Sequence, residues 1–338
     1  MVGPLPLEIP LTNAIEIRGV TKTFGPKVAV DDLDLSIPQG SLYGFIGPNG
    51  AGKTTTIRMI MSILFADRGA VSVLGKASAV ESKDRIGYLP EERGIYRKMK
   101  VGAFLKYVAR LKGMDSAGLD AKVLGWLERV ELKDVLRKKC EELSKGMQQK
   151  VQFIAAVIHE PDLIILDEPF SGLDPLNRRL LRELMEEQHK AGRTLIFSTH
   201  AMYEAEQLCT HIFMINNGRK VLDLPFPEIW KRYDPRVLHV EPLGHAGEAL
   251  EVLRTIPGVR VAGQAGGGVD LRLGDDADAS VAMVEATRRV PARLVELRRP
   301  SLEDIFIQLA GPEAQAMLAQ SGTGGGAVRR SSPAGVES

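Results

Sequence analysis

Cysteine is scarce: Cys140 and Cys209 are the two thiols in 338 residues, too few for a disulfide framework and in keeping with a reducing compartment. Both are expected in the core. A surplus of one charge is missing as well, because 44 Lys and Arg face 43 Asp and Glu and leave a net charge of +1. No overall field therefore draws the chain to nucleic acid or anionic lipid, and any such partner has to be met by a local patch. Residues 1–10 do not run basic and then apolar, as a secretory leader does. No apolar run approaches the roughly 18 residues that cross a bilayer, so if the chain works at a membrane another polypeptide anchors it. No internal repeat is visible. What the chain does have is 44% apolar content, enough at this length for a substantial core and for two domains.

Apolar, β-branched stretches alternate with amphipathic ones over residues 14–230, which predicts an α/β domain with a largely parallel sheet. Strands are expected at 15–17, 42–46, 163–166 and 194–197, the last three as nearly continuous apolar runs suited to burial on both faces. Between 101 and 143 the apolar positions keep helical spacing only, as in Val101-Phe104-Leu105-Val108-Leu111 and Val123-Leu124-Leu127-Val130, so a helical subdomain is inserted at about residues 91–145. Asn216-Asn217-Gly218 lies between two apolar runs and predicts a tight hairpin that closes the domain. From 237 the order strand, helix, strand, strand, helix, strand, helix predicts a small ferredoxin-like α+β domain. The boundaries read from this pattern are a flexible N-terminus at 1–13, an α/β domain at 14–233, an accessory domain at 234–312 and a disordered tail at 313–338.

Gly47-Pro48-Asn49-Gly50-Ala51-Gly52-Lys53-Thr54 matches G-x-x-x-x-G-K-[ST], after an apolar strand and before a helix beginning at Thr55. A glycine-rich turn that merely caps a helix is the bland alternative. The context favours a phosphate loop of a nucleoside-triphosphate-binding domain, in which glycines let backbone N–H groups turn inward and the helix dipole adds to them. Lys53 then reaches the β- and γ-phosphates and Thr54 offers its hydroxyl to Mg²⁺. A second strand delivers Asp167-Glu168, two consecutive carboxylates that Pro169 turns out of the sheet. Alone they would be solvated or capping groups. Beside a phosphate loop, Asp167 suits Mg²⁺ and Glu168 suits the proton of an attacking water.

Leu143-Ser144-Lys145-Gly146-Met147, shortly before that strand, resembles the signature of the ATP-binding-cassette (ABC) family, usually LSGGQ. Further elements of that family follow in order over residues 14–232: Phe24 in the place of the aromatic that stacks on adenine, Ser171-Gly172-Leu173-Asp174 resembling the D-loop, and Ser198-Thr199-His200 ending in the switch histidine. A lone Phe is otherwise more often core, and a strand-end His more often surface. The resemblance implies ATP and Mg²⁺ as cofactors, with Thr54, Asp167 and Glu91 on the metal and Glu168, His200 and Lys53 in hydrolysis. It implies that two cassettes close head to tail, so that Ser144 and Gly146 of one copy, beside its Asp174, meet the γ-phosphate held by Lys53 of the other. It also implies a separate membrane-spanning permease as partner, a peripheral position on the cytoplasmic face of the membrane, and no nucleic acid.

Two positions depart from the family pattern. Lys145 and Met147 replace the first glycine and the glutamine of the signature, and Glu91 stands where the loop after Tyr88 usually carries glutamine. A carboxylate there is charged and accepts only. Both variants, with Glu91-Glu92-Arg93-Gly94 and Pro300-Ser301-Leu302-Glu303-Asp304-Ile305-Phe306, resemble the bacterial subgroup that powers ABC-2-type exporters, including sodium and drug efflux systems. The alternative is a soluble cassette ATPase acting on ribosomes or DNA. One phosphate loop, no heptads and balanced charge stand against it.

Overall fold

The computed structural model describes residues 12–92, 94–234 and 236–311. Most of the N-terminal segment and the whole 313–338 tail therefore lie outside the described residues, as do Arg93 and Pro235. The chain divides into two compact units, with the change from one to the other between Phe226 and Pro227.

The first unit holds two sheets. Strands β1 (Asn13–Phe24), β2 (Lys27–Pro38) and β4 (Arg68–Val73) form an antiparallel sheet in the order β2-β1-β4. The larger sheet uses β3 (Leu42–Ile46), β5 (Ile86–Leu89), β6 (Leu163–Asp167), β7 (Thr194–Thr199), β8 (His211–Asn216) and β9 (Arg219–Pro225), ordered β5-β6-β7-β3-β8-β9. Its first five strands run parallel and β9 returns antiparallel. Every residue of β3, β6 and β7 is buried, which is why these strands read as unbroken apolar runs. The β8–β9 turn passes through Asn217 at φ 48 and Gly218 at φ 77, the left-handed conformation that Asn-Gly tolerates.

Three helices, α2 (Val101–Leu111), α3 (Leu119–Arg129) and α4 (Lys145–Val157), sit between β5 and β6 in sequence. Phe104, Leu105 and Ala109 of α2 and Val123, Trp126 and Leu127 of α3 are buried. Leu111 departs from the expected stripe and is 57% exposed, because α2 ends there and Ala109 fills the inward position of that turn. Helices α1 (Lys53–Ile60), α5 (Pro175–Lys190), α6 (Met202–Leu208) and α7 (Phe226–Arg232) complete the order as far as the second unit.

The second unit contains β10 (Val237–Pro242), α8 (Ala246–Leu253), β11 (Val259–Ala265), β12 (Gly268–Leu273), α9 (Ala279–Arg289), β13 (Ala292–Arg298) and α10 (Leu302–Ala310). Its sheet order is β11-β12-β10-β13 with all neighbours antiparallel, the ferredoxin-like arrangement. Leu238, Val240, Leu253, Val269, Leu271 and Ala286 form the core between one sheet face and α8 and α9. Side chains alternate along a strand, so the opposite face carries His239, Asp270, Arg272 and Arg298.

Candidate functional site

Strands β6, β7 and β3 are adjacent and parallel, so their C-terminal ends open on one edge of the sheet, where ligands of open α/β sheets bind. Each end carries one of the sequence motifs. After β3 the chain turns through residues 47–52 into α1. A Cβ at Gly47 would lie 2.2 Å from the Ile215 carbonyl oxygen, and one at Gly52 would lie 2.6 Å from that of Ala29. Gly52 also sits at φ 113. Only glycine fits at positions 47 and 52, where the loop is pressed against β8 and β2. Helix α1 begins with no side-chain cap and no acidic residue in its first turn, which leaves its N-terminal dipole uncompensated and suited to an anion.

Lys53, 5% exposed, donates from Nζ to the carbonyls of Gly47 at 2.7 Å and Pro48 at 3.1 Å. Burial lowers its pKa, and the charges of Glu168, Asp167 and Glu91 oppose that shift. Asp167 is fully buried; its Oδ1 accepts from the hydroxyls of Ser198 and, at 3.3 Å, Thr54. Its Oδ2 is buried and has no partner among the described residues, and burial raises the carboxyl pKa against the pull of those hydroxyls. An orphaned carboxylate oxygen beside a threonine hydroxyl is the chemistry a hard divalent cation satisfies. Among the described residues no group of three or more His, Cys, Asp or Glu could hold a metal, so an ion here depends on other oxygens, as Mg²⁺ does when phosphates complete its shell.

Glu168 leaves the sheet at φ 50 and is tied to β7 twice over. Its N–H donates to the Ser198 carbonyl at 3.2 Å and hydroxyl at 3.0 Å. Its Oε1 accepts from the His200 N–H at 3.1 Å and from His200 Nδ1 at 2.9 Å. An ionised carboxylate only accepts, so Nδ1 carries the imidazole proton. That bond raises the His200 pKa, and partial burial opposes it. Serine 198 thus positions both carboxylates, a role the sequence reading did not assign to it.

A cavity of about 290 Å³ lies over these groups, lined by Phe24, Asn49, Lys53, Thr54, Thr55, Glu91 and Glu168, with Gly50 and Gly52 in its wall. Asp167 and His200 lie behind this lining, and Gly47 and Pro48 enter through the carbonyls that hold Lys53; Ala51 is buried beneath the loop. Phe24 is 48% exposed at the mouth. Lys27, also in the lining, was missed: it pairs with Phe24 across the β1–β2 hairpin, and its signal was the short Gly25-Pro26 turn after the aromatic. Tyr88, at the end of β5 before that loop, is pushed up to about 12 mainly by burial.

Ser144, Gly146 and Asp174 do not line this cavity. Ser144 caps α4, its hydroxyl accepting from the Met147 N–H at 3.3 Å. Gln149 of α4 donates to the Pro169 carbonyl at 2.9 Å and so joins the signature helix to the exit of β6. Asp174 caps α5; Oδ1 accepts from the Asn177 N–H at 2.9 Å and Oδ2 from its amide at 2.6 Å. Within one chain its oxygens are already engaged.

A family model described as "ABC transporter" matches residues 30–171, and one described as "ATP-binding protein DrrA1-3-like, C-terminal domain" matches residues 226–310. The chain is 41% identical over 297 residues to an uncharacterized ABC transporter ATP-binding protein, YhaQ, of Bacillus subtilis, covering 88% of this chain and 98% of that one. It is 32% identical over 326 residues to the Nod factor export ATP-binding protein I of Cupriavidus pinatubonensis, covering 92% and 95%. A solved ATP binding subunit of an ABC transporter superposes with a TM-score of 0.61 at 30% identity, over 65% of this chain and 93% of that one. The cbiO1 subunit of Clostridium perfringens, at 22% identity and a TM-score of 0.57, shares the fold.

Proposed function

We propose, since this chain belongs to the ABC transporter ATP-binding protein family, that it hydrolyses ATP with Mg²⁺ and thereby drives a separate permease of the ABC-2 exporter type. The observation that carries the hydrolytic reading is the meeting of Lys53, Asp167, Glu168 and His200 at the ends of three adjacent strands. The exporter assignment rests on the C-terminal domain match and on the Nod factor export relatives. No helix among the described residues is long and apolar enough to cross a membrane. The family supports a position on the cytoplasmic face of the membrane, held by that partner.

In the reaction a water oxygen bonds to the γ-phosphorus, the bond from that phosphorus to the bridging oxygen of ADP breaks, and the water proton passes to Glu168. Lys53 holds the β- and γ-phosphate charge, and Phe24 offers a ring face to the base. Thr54 and Asp167, with Glu91, would hold Mg²⁺, which would supply charge neutralisation on the phosphates. His200 fixes the Glu168 carboxylate through Oε1, so the other oxygen is left to face water. Ser144, Gly146 and Asp174 serve a second copy of the chain, which explains why they stand outside the cavity of their own.

Purified protein with Mg·ATP is expected to release inorganic phosphate; an absence of release at any protein concentration, with or without permease, would defeat the proposal. Two further outcomes follow from the structure. The His200 pKa is raised in the folded chain, so its bond to Glu168 stabilises fully below the unfolded value of about 6.5 and fades as pH rises through the folded value. His200→Ala is therefore expected to lower the melting temperature relative to the parent at about pH 6 and to close that gap by about pH 9. Differential scanning fluorimetry across that range checks it, and a gap that widens with pH contradicts it. A chain ending at Tyr233 keeps every motif from Phe24 to His200 and is expected to bind ATP within about threefold of the full chain by calorimetry. Loss of binding would place the C-terminal unit inside the catalytic fold.

A further inference from the structure

We infer that the second unit carries its own site for a phosphate group, in an arginine-lined cleft remote in sequence from the phosphate loop. The cleft measures about 630 Å³ and is walled entirely by residues between Arg232 and Gln308, among them six arginines and four aspartates. That volume suits a small molecule or a lipid headgroup, and is too small for a folded partner.

The charges in the wall are not mutually neutralised. Two of the four aspartates pair with arginines and the other two are held by uncharged donors, so six guanidinium groups face four carboxylates. Asp270 accepts from Arg298 at 2.6 Å and from His239 Nδ1 at 2.6 Å. Asp275 pairs with Arg260 at 3.5 Å, Asp234 accepts the Arg236 N–H at 2.8 Å, and Asp304 is bound by Ser301. Four guanidinium groups, those of Arg232, Arg236, Arg272 and Arg299, have no carboxylate partner among the described residues. Arg272, on β12, has neither hydrogen bond nor ion pair for its side chain among the described residues. Arg299 lies over the Trp230 ring at 4.7 Å and Arg232 over the Tyr233 ring at 5.7 Å. Arg236 donates to the Ala277 carbonyl, and its Nε is buried with no partner among the described residues.

Guanidinium groups gathered in one cleft repel one another, and an anion that bridges them removes that cost. Their planar forks match the oxygens of phosphate, and stacking on an aromatic face holds two of them in place at little further loss of freedom. A phosphate monoester or diphosphate meets this wall better than a carboxylate, because it offers more oxygens and more charge to several forks at once. Asp270, clamped between Arg298 and His239, acts as a spacer that keeps Arg298 on the floor. The source of the phosphate is either a soluble metabolite or the headgroup of an anionic lipid.

The chain contains two tryptophans, Trp126 and Trp230, so Trp126→Phe leaves Trp230, under Arg299, as the single reporter. Lys53→Ala in the same full-length chain removes the phosphate loop's own affinity. Sodium pyrophosphate, sodium phosphate and phosphatidylcholine vesicles with or without phosphatidic acid are titrated while Trp230 fluorescence is followed. A saturable change is expected with pyrophosphate or with the phosphatidic acid vesicles, and which of the two acts identifies the source. Its midpoint should rise at least about tenfold in Arg272→Gln and in Arg299→Gln, each checked for an unchanged melting temperature. Should one variant fail to fold, the other decides. No saturable change with any probe, an equal change with sodium chloride at matched ionic strength, or a midpoint that neither variant moves would overturn the assignment.

Discussion

Lys53→Ala is expected to cut phosphate release by at least about a hundredfold and to weaken ATP binding, the largest loss any single substitution should cause here. Lys53 is 5% exposed and its ammonium is held against the Gly47 and Pro48 carbonyls, so it needs little reorganisation to meet the phosphates. It is also the cation that Glu168, Asp167 and Glu91 act on. Without it those carboxylates face an incoming polyanion with only the α1 dipole and Mg²⁺ to offset them. Steady-state phosphate release and calorimetry on the folded variant test this, and a turnover equal to the parent's would remove Lys53 from the site.

Glu168→Gln should act differently, leaving ATP affinity within about threefold while lowering turnover by at least about a hundredfold. Glutamine keeps the length of the side chain and can still accept the His200 bond through its amide oxygen. What it loses is the capacity to take the water's proton at neutral pH. The separation of binding from turnover is the informative part. A variant that loses both would mark Glu168 as a structural carboxylate, since its backbone at φ 50 and its bonds to Ser198 and His200 also hold the end of β6. A variant that keeps turnover within about threefold would assign the proton to another group.

Much of the architecture was legible because burial on both faces leaves a plain mark. Strands β3, β6 and β7 read as apolar runs for the same reason that they sit at the centre of the sheet. The ferredoxin-like order of the second unit was legible from strand and helix periodicity after residue 237. The antiparallel sheet of the first unit was read only in part. β2 alternates as Leu33-Asp34-Leu35-Ser36-Ile37, a period-two pattern that was present and passed over, and β4 begins with three exposed residues that carry no apolar signal. At the site, residue types in motif order named Lys53, Asp167, Glu168 and His200. Spacing could not show that Ser198 holds both carboxylates, because that needs β6 and β7 to be neighbours in register. Nor could it show Lys27, whose place depends on the β1–β2 pairing. The arginines of the second unit are spread over residues 232–299 and converge only once the sheet is formed.

The central claim is that this chain binds ATP in a site completed by a second cassette, with Ser144 and Gly146 of one copy on the γ-phosphate held by the other. Light scattering of Glu168→Gln with Mg·ATP measures this most directly, since blocked hydrolysis should let the closed pair accumulate. The account predicts the mass of two chains with Mg·ATP, the mass of one with Mg·ADP, and loss of the pair when Ser144→Arg is added. The mass of a single chain at every ATP concentration that saturates binding would contradict it.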